Sequence, residues 1–200
     1  MKKSIEKRVL SRIYGKKRGW VFTPGHFLDL GAYDSVARAL KNLCDRSLIR
    51  RLARGLYDYP KTHEKLGKLS PSPEDIAQAL AGKDNLRIQP SGAYAANILG
   101  LTEQVPARII FLTDGTNRKI TVGKQEIILK QTTPKNMATA GRITGLVIHA
   151  LKYLGKNNVD QSIKNKLSKR LTQKDQAQLV KDIKFAPAWI GDLFRNLSCD

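Results

Sequence analysis

The stretch TPGHFLDLGAYDSVARALKNLCDRSLIRRLARGLYDYP, residues 23–60, decides the fold of the N-terminal part of this 200-residue chain. Its first two residues supply a hydroxyl N-cap and a proline at the first helical position, which predicts a short helix that ends at Gly31. Asp34 or Ser35 can cap a second helix, in which apolar residues recur at helical spacing. An earlier helix over residues 4–14 completes a three-helix core, so the sequence predicts a helix-turn-helix.

Two short β-prone segments, residues 48–53 and 56–59, follow the second helix. They hinge near Gly55, and Pro60 ends the second segment because proline cannot extend an inner strand. A basic hairpin directly after a helix-turn-helix is the order of elements in a winged DNA-reading module. The sequence therefore predicts a winged helix-turn-helix over residues 1–60, with duplex DNA as its partner.

The second helix carries a polar face opposite its apolar one. The polar residues are Ser35, Arg38, Lys41, Asn42 and Asp45. From Arg38 onward they recur at i, i+3, i+4 and i+7, so their side chains emerge on one stripe that a major groove could meet. Arginine can bond a guanine edge and asparagine an adenine edge, so we predict that Arg38 and Asn42 read bases. Lys41 is predicted to contact a phosphate.

Two further groups of cations flank this helix in the sequence. The wing carries Arg50, Arg51 and Arg54, and the loop after the first helix carries Lys16, Lys17 and Arg18. The wing arginines would lie along a phosphate backbone or reach into a minor groove, and the alternative is an edge strand protected by charge. The loop cations could contact phosphates or form a solvated turn. Both groups are candidate DNA contacts.

The charge of the chain suits a polyanionic partner. It holds 36 Lys and Arg against 17 Asp and Glu, a formal net charge of +19. Residues 1–60 carry a net +9, residues 61–140 a net +4 and residues 141–200 a net +6. Basicity alone does not distinguish DNA, RNA and anionic membranes, but the densest charge coincides with the predicted winged helix.

The sequence indicates a cytoplasmic protein. It contains no run of about 18 apolar residues that could span a membrane. Charged residues from Lys2 to Arg8 interrupt any signal-peptide core. Its two cysteines, Cys44 on a predicted buried face and Cys199 in the tail, fit a reducing compartment, and we expect neither a disulfide nor a metal pair.

The remainder of the chain predicts a second domain and an overall α+β class. Residues 61–72 are polar and predict an interdomain linker, so the second domain is expected over residues 73–200. Its predicted strands are 86–88, 107–113, 118–122 and 126–131, of which the last three form a meander. Its predicted helices begin at Ser72-Pro73 and then cover 91–99, 143–154, 163–171, 175–183 and 187–197. This gives a mixed α/β domain with a helical C-terminal part.

No motif for catalysis, a cofactor or a metal stands out. The three histidines, His26, His63 and His149, lie in unrelated segments without metal-ligand spacing. Asp114-Gly115 is explained as a hairpin turn, and the glycines form no phosphate-cradling loop. We therefore predict no enzymatic activity, no cofactor and no metal site.

The order of several motifs resembles the AbiEi-type antitoxins, the partners of nucleotidyltransferase toxins. The motifs are GWVFT at residues 19–23, LIRRLARGLY at 48–57, SGAYAANILGLT at 91–102 and VPA at 105–107. The likeness covers about residues 4–155. It implies an N-terminal winged helix that represses its own operon and a C-terminal domain that counteracts the toxin, directly or indirectly. It also implies operator contacts at residues 35–42 and 50–54.

The last helix offers a second class of function. Phe185, Trp189 and Phe194 lie on an aromatic-rich amphipathic segment, for which core docking and a protein-partner surface are both open. The main hypothesis is a DNA-binding antitoxin and autorepressor. The alternatives are a protein-interaction module that sequesters a partner enzyme, a stand-alone transcriptional regulator and an RNA-binding protein. No heptad seam nominates a dimer interface, so dimerisation on DNA is left open.

Overall fold

The fold is α+β, as predicted. The computed structural model describes residues 4–82 and 86–197, and Cys199 lies outside the described residues. The chain divides into two compact units, Met1–Leu86 with Ile120–Ile127 and Arg87–Lys119 with Ile128–Asp200. Within the described part of the chain, no helix is long and apolar enough to cross a membrane.

Helices and strands of the first unit follow the winged-helix order. Helix α1 covers Ile5–Gly15, strand β1 Val21–Phe22, the 3₁₀ helix η1 Pro24–Phe27 and helix α2 Tyr33–Asp45. Strands β2 at Arg50–Ala53 and β3 at Leu56–Asp58 come next. The sheet order is β1-β3-β2 with antiparallel pairs, so the hairpin after α2 is joined to the strand before η1.

Two predicted details of these helices were wrong. The short helix predicted to end at Gly31 is a single 3₁₀ turn, at whose start the Thr23 N–H donates to Nδ1 of His26 at 3.1 Å. The helix α2 starts at Tyr33, so neither Asp34 nor Ser35 is its N-cap. Both lie in its first turn, where the Asp34 carboxylate faces the positive end of the helix dipole and still favours the helix start.

One apolar core holds the three helices and the sheet together. Its buried members are Val9, Ile13, Phe22, Phe27, Val36, Ala39, Leu40, Leu43, Ile49 and Tyr57. Val36, Leu40 and Leu43 recur at i, i+4 and i+7, as expected for the inner face of an amphipathic helix. Because this face is buried, the opposite face of α2 is exposed.

The segment predicted as a linker has regular structure. Strands β4 at Thr62–His63 and β5 at Gly67–Lys68 form an antiparallel hairpin. Helix α3 at Pro73–Ala81 begins with a capping box and contacts β1. The first compact unit therefore extends to Leu86, beyond the boundary expected from composition, because α3 packs on the strand that opens the winged-helix sheet.

The predicted three-strand meander is wrong in its order. Strands β6 at Ile88–Ser91, β7 at Arg108–Thr113, β8 at Arg118–Val122 and β9 at Gln125–Gln131 form a sheet in the order β6-β7-β9-β8. Strand β9 lies between β7 and β8, so the strand that follows β7 in the chain does not pair with it. The Asp114 carboxylate accepts the backbone N–H of Arg87 at 2.9 Å and its Nε at 2.8 Å, in place of a tight hairpin turn.

Helices form the remainder of the second unit. Helix α4 covers Gly92–Ile98, and α5 Pro134–Met137, α6 Ile143–Leu154, the 3₁₀ helix η2 Lys156–Asn158, α7 Gln161–Arg170, α8 Gln173–Lys181, the 3₁₀ helix η3 Ile183–Phe185 and α9 Ala188–Leu197 follow. The four predicted C-terminal helices are confirmed within two residues at each end. One core joins them to α4, with Ala95, Val147, Leu167, Leu179 and Phe194 among its buried residues.

Candidate nucleic-acid interface

The winged-helix framework is fixed by ion pairs as well as by its core. The Arg12 guanidinium on α1 donates to both carboxylate oxygens of Asp29, at 2.8 and 2.6 Å, and to the His26 carbonyl at 2.7 Å. The hydrogen bonds to Asp29 raise the pKa of Arg12. This fork ties α1 to the turn that precedes α2, and it therefore sets the orientation of α2.

The outward stripe of α2 has mixed charge. Arg38 and Lys41 are exposed, as predicted, and so is Ser35. Two carboxylates, Asp34 and Asp45, are also exposed on this helix. Asp34, Arg38, Lys41 and Asp45 are spaced by four, three and four residues, so they lie on one stripe. A DNA backbone that approaches it meets two cations flanked by two anions.

Asn42 also lies on this exposed face, four residues after Arg38, and its side chain contacts α1. Its Nδ2 donates to Oε2 of Glu6 at 3.1 Å, while Nη1 of Arg46 donates to Oε1 at 2.8 Å. Sequence reasoning missed Glu6, because nothing in the spacing of α1 shows which helix its carboxylate meets. Asn42 and Arg38 are both exposed, but the Asn42 amide is bonded to Glu6, and this bond competes with a bidentate base contact.

The tip of the wing presents two arginines. Arg51 and Arg54 are exposed, and Nε of Arg51 donates to the Ala53 carbonyl at 3.4 Å. Gly55 has a φ of +74°, which permits the tight turn between β2 and β3. The register slips between Arg51 and Ala53, and such a bulge increases the local twist of the hairpin. Both guanidinium groups therefore remain available to a phosphate backbone.

Arg50 has a structural role, and our prediction that it contacts DNA is not supported by its surroundings. Its Nε and Nη2 donate to the two oxygens of Asp58 at 3.0 and 2.6 Å, and Nη2 also donates to the Leu69 carbonyl at 2.7 Å. Asp58 is 1% exposed. A carboxylate buried this deeply needs a charged partner, and Arg50 is directly opposite it in the sheet. The pair raises the pKa of Arg50.

A sequence signal for this pair exists. Asp58 ends a strand whose other members are Leu56 and Tyr57, and all three are buried. A carboxylate in an apolar strand predicts a cationic partner on the neighbouring strand, which in a hairpin that hinges at Gly55 is one of the wing arginines.

The cations of the loop after α1, like the arginines of the wing, fall into candidate DNA contacts and a residue with a structural role. Lys16 and Lys17 are exposed, and Lys17 has a φ of +68°, which ends α1. Nη1 of Arg18 donates to the Pro60 carbonyl at 3.2 Å, and its guanidinium carbon lies 4.7 Å from the centre of the Tyr59 ring. Arg18 therefore holds the loop to the chain after β3, and Lys16 and Lys17 are the better candidates for phosphate contacts.

The aromatic residues of the winged helix pack inside it. Phe22 is fully buried, and its ring lies 4.7 Å from Trp20, 5.5 Å from Phe27 and 6.2 Å from Tyr57. Burial raises the pKa of the Tyr57 hydroxyl and that of the Cys44 thiol. These rings support the core, and Tyr57 is not positioned to stack on bases.

The first unit also contains a cavity of about 450 Å³. Its lining includes Arg12, Lys16, Trp20, His26, Asp29, Asp75 and Gln78. Two of its charged side chains, Arg12 and Asp29, pair with each other. Among residues 4–82 and 86–197, no three His, Cys, Asp or Glu side chains are grouped as metal ligands would be.

The proposed partner surface on α9 is wrong for one of its three residues. Phe194 is fully buried in the helical core, because it shares the inner face of α9 with Ile190 and Leu197. Phe185 and Trp189 are half-buried and pack against the same core. Lys184 lies over the Phe185 ring at 5.2 Å. The aromatic segment therefore docks into its own unit.

Comparison with known proteins gives one result that covers most of the chain. No curated protein matches the sequence. A family model described as a family of unknown function (DUF6088) matches residues 8–179, which include the winged helix, the four-stranded sheet and the helices through most of α8. The chain therefore belongs to the DUF6088 family.

Proposed function

We propose that the protein is a cytoplasmic, DNA-binding antitoxin that represses its own operon through the winged helix. In this proposal the second unit counteracts a nucleotidyltransferase-type toxin, and the protein has no enzymatic activity and needs no cofactor. The observation that carries the proposal is the exposed stripe of α2 next to the arginines of the wing tip in one winged-helix framework.

The mixed charge of α2 favours sequence-specific binding. Phosphates attract Arg38 and Lys41 but repel Asp34 and Asp45, so the backbone alone gains little from this helix. Base-edge contacts by Arg38 must then supply part of the affinity, and such contacts carry sequence information. The wing arginines, Arg51 and Arg54, would add backbone or minor-groove contacts that do not depend on sequence.

Support for the antitoxin role comes from the resemblance in the second unit. The motif at residues 91–102 forms helix α4 and the turn after it, with Tyr94, Ala95 and Ala96 buried. Ala95 and Ala96 are small, and they let α4 pack closely against α6. The motif thus supports the helical core, and the surface that would act on a toxin is carried by neighbouring exposed residues.

Fluorescence anisotropy on a labelled duplex from the region upstream of the gene tests the DNA-binding half. Wild-type protein is expected to bind this duplex at least about 1,000-fold more tightly than a random duplex, the lower end of the range of sequence-specific proteins. Arg38→Gln should reduce that ratio by about 10-fold or more, because a bidentate base contact is worth roughly 1–3 kcal/mol.

Lys130→Gln is the matched control, because Lys130 is an exposed cation outside the winged helix. It removes one charge and should leave the ratio between upstream and random duplex unchanged. Equal affinity of wild type and Arg38→Gln for both duplexes would show that α2 does not read sequence, and the repressor proposal would fail.

Co-expression with the neighbouring open reading frame tests the antitoxin half. If that frame encodes a nucleotidyltransferase that arrests growth, wild-type protein should restore growth. The double variant Arg38→Gln/Lys41→Gln should restore it equally when both genes are expressed from a foreign promoter, because neutralisation is assigned to the second unit. Loss of rescue in this variant would assign neutralisation to the winged helix instead.

RNA binding is a second candidate, favoured only by the net charge of +19. Competition with unlabelled duplex RNA of the upstream sequence distinguishes the two. A winged helix that reads a major groove should be displaced by duplex DNA at far lower concentrations, since the deep, narrow major groove of A-form RNA is closed to a helix.

A further inference from the structure

Helix α7 carries a dense group of cations, and the nearest carboxylates in the sequence are Asp160 before the group and Asp175 after it. Residues 161–174 contain Lys164, Lys166, Lys169, Arg170 and Lys174 and no Asp or Glu. The flanking carboxylates are used locally: Asp160 accepts the Ile163 N–H at 2.9 Å, and Asp175 forms the capping box that starts α8. Among the described ion pairs, none includes these five cations.

The cations lie on the outer face of a well-anchored helix. Leu167 is fully buried and Leu171 is 5% exposed, so they fix one face of α7 in the helical core. Lys166, Lys169 and Arg170 are exposed and recur at i, i+3 and i+4, which places them on one stripe. They line a shallow depression together with the end of α4, residues 97–100. We call Lys166, Lys169 and Arg170 the α7 patch.

Helix stability does not explain these charges. Cations in the last turn, such as Lys169 and Arg170, are favoured by the helix dipole. Lys166 lies earlier in α7, and like charges at i+3 and i+4 destabilise a helix. The chain therefore retains repulsion that an external anion would relieve.

We propose that the α7 patch binds the phosphate backbone of duplex nucleic acid, separately from the winged helix. Ser162 and Asn165 are exposed four positions before Lys166 and Lys169, and hydroxyl and amide groups of this kind bond phosphates and sugars. The helix has no aromatic residue, so it lacks the stacking platform of single-strand binders and the aromatic anchors of protein interfaces. Lysine is also depleted in protein interfaces.

The test uses full-length protein and a fluorescent 24-base-pair duplex of random sequence, made as DNA and as RNA. The variant is Lys166→Gln/Lys169→Gln/Arg170→Gln. The control, Lys130→Gln/Lys135→Gln/Lys181→Gln, removes the same charge from exposed residues elsewhere in the second unit. Affinity is measured by anisotropy from 50 to 200 mM salt.

Loss of three phosphate contacts should lower the slope of log affinity against log salt by about 2.7. Wild type should then lose about 40-fold more affinity than the α7 variant over this salt range. The control should keep most of the wild-type slope. A loss on DNA and RNA alike supports a backbone site of either source, and a loss on one alone supports the site and identifies that source.

Measuring the same triple in the Arg38→Gln/Lys41→Gln background separates the α7 patch from the proposed function. A further loss in that background supports an independent surface even if the winged helix reads no operator. The melting temperature of the α7 variant should stay close to that of wild type, because the relief of like-charge repulsion and the loss of the helix-dipole contacts of Lys169 and Arg170 oppose each other. A value near that of wild type shows that misfolding does not cause the loss of affinity.

Two outcomes would overturn the proposal. One is an α7 variant whose affinity and salt slope equal those of the control on both duplexes. The other is unchanged duplex binding together with lost co-purification of the neighbouring gene product, which would assign the α7 patch to a protein partner.

Discussion

Helices α2 and α7 both present cations to solvent, but they differ in the charges beside those cations. On α2, Asp34 and Asp45 lie on the same stripe as Arg38 and Lys41, whereas no acidic residue lies three or four positions before or after Lys166, Lys169 or Arg170. The first arrangement penalises contact with any phosphate backbone and favours a surface that must also read bases. The second attracts phosphates regardless of sequence. The protein thus has one charged surface suited to sequence-specific binding and another suited to any phosphate backbone.

The largest expected effect separates structural from exposed arginines in the wing. Arg50→Gln leaves the Asp58 carboxylate buried without its charged partner, and we expect it to lower the free energy of unfolding by about 2–4 kcal/mol. Arg51→Gln removes an exposed charge from the neighbouring position and should change stability by less than about 0.5 kcal/mol. Urea denaturation followed by circular dichroism measures both.

In duplex binding, Arg51→Gln should have a larger effect than Arg50→Gln, provided that Arg50→Gln remains folded. Arg51→Gln should reduce the salt slope by about 0.9, as expected for one phosphate contact. If Arg50→Gln proved as stable as wild type, the Asp58 pair would contribute nothing, and Arg50 would return to the set of candidate DNA contacts.

The second effect concerns the core that supports the α7 patch. Gly145 on α6 is so close to its neighbours that an added Cβ would lie 2.5 Å from the Thr139 carbonyl and 2.6 Å from Oε1 of Gln89. Gly145→Ala should therefore cost about 1–3 kcal/mol, as overpacking does. Gly15→Ala is the control, because nothing lies within 4 Å of its added Cβ. Thermal unfolding of the two variants compares them, and equal melting temperatures would show that the segment around Thr139 yields without cost.

The third effect removes the acids that distinguish α2 from α7. Asp34→Asn/Asp45→Asn should raise the affinity for a random duplex by about 3- to 10-fold, because two repulsive charges leave a stripe that faces phosphates. The ratio of upstream to random affinity should fall, since the gain does not depend on sequence. Anisotropy at 100 mM salt measures both quantities. Unchanged random binding would mean that the α2 stripe does not approach a DNA backbone.

Local patterns in the sequence predicted most elements, because helices and strands are specified by residues close in the chain. The apolar spacing of residues 143–154 matched α6 at both ends. The predicted order of the strands was wrong, because strand pairing depends on residues that are far apart in the chain. Strand β9 lies between β7 and β8, and the Thr132 N–H donates to the Thr113 carbonyl 19 positions earlier, a contact that local sequence patterns do not specify.

The candidate interface was predicted in part for a similar reason. Exposure of Arg38 and Lys41 follows from the helical period alone. The partner of Asn42 does not, because Glu6 lies 36 residues from Asn42 in the chain. Phe194 shows a further limit: an apolar stripe at i, i+4 and i+7 indicates a buried face but not whether the burial is against its own core or a partner.

The smallest effect is a pH dependence confined to the second unit. His149 on α6 is 8% exposed, and burial lowers its pKa from the ordinary 6.5, with Lys152 adding to the decrease. Below pH 6.5 the unfolded chain therefore binds a proton before the folded protein does, so stability is complete above this pH and decreases as the pH falls through the folded value. We expect the free energy of unfolding to fall between pH 7.5 and pH 5, and His149→Gln to flatten that decrease.

The carboxylates with lowered pKa values, Asp114 and Asp175, do not contribute in this pH range, because the stability that they add is lost only as the pH falls below their ordinary pKa of 3.8. If His149→Gln shows the full wild-type decrease, another group causes that decrease. The charge of His149 would then not affect the stability of the helices around α6.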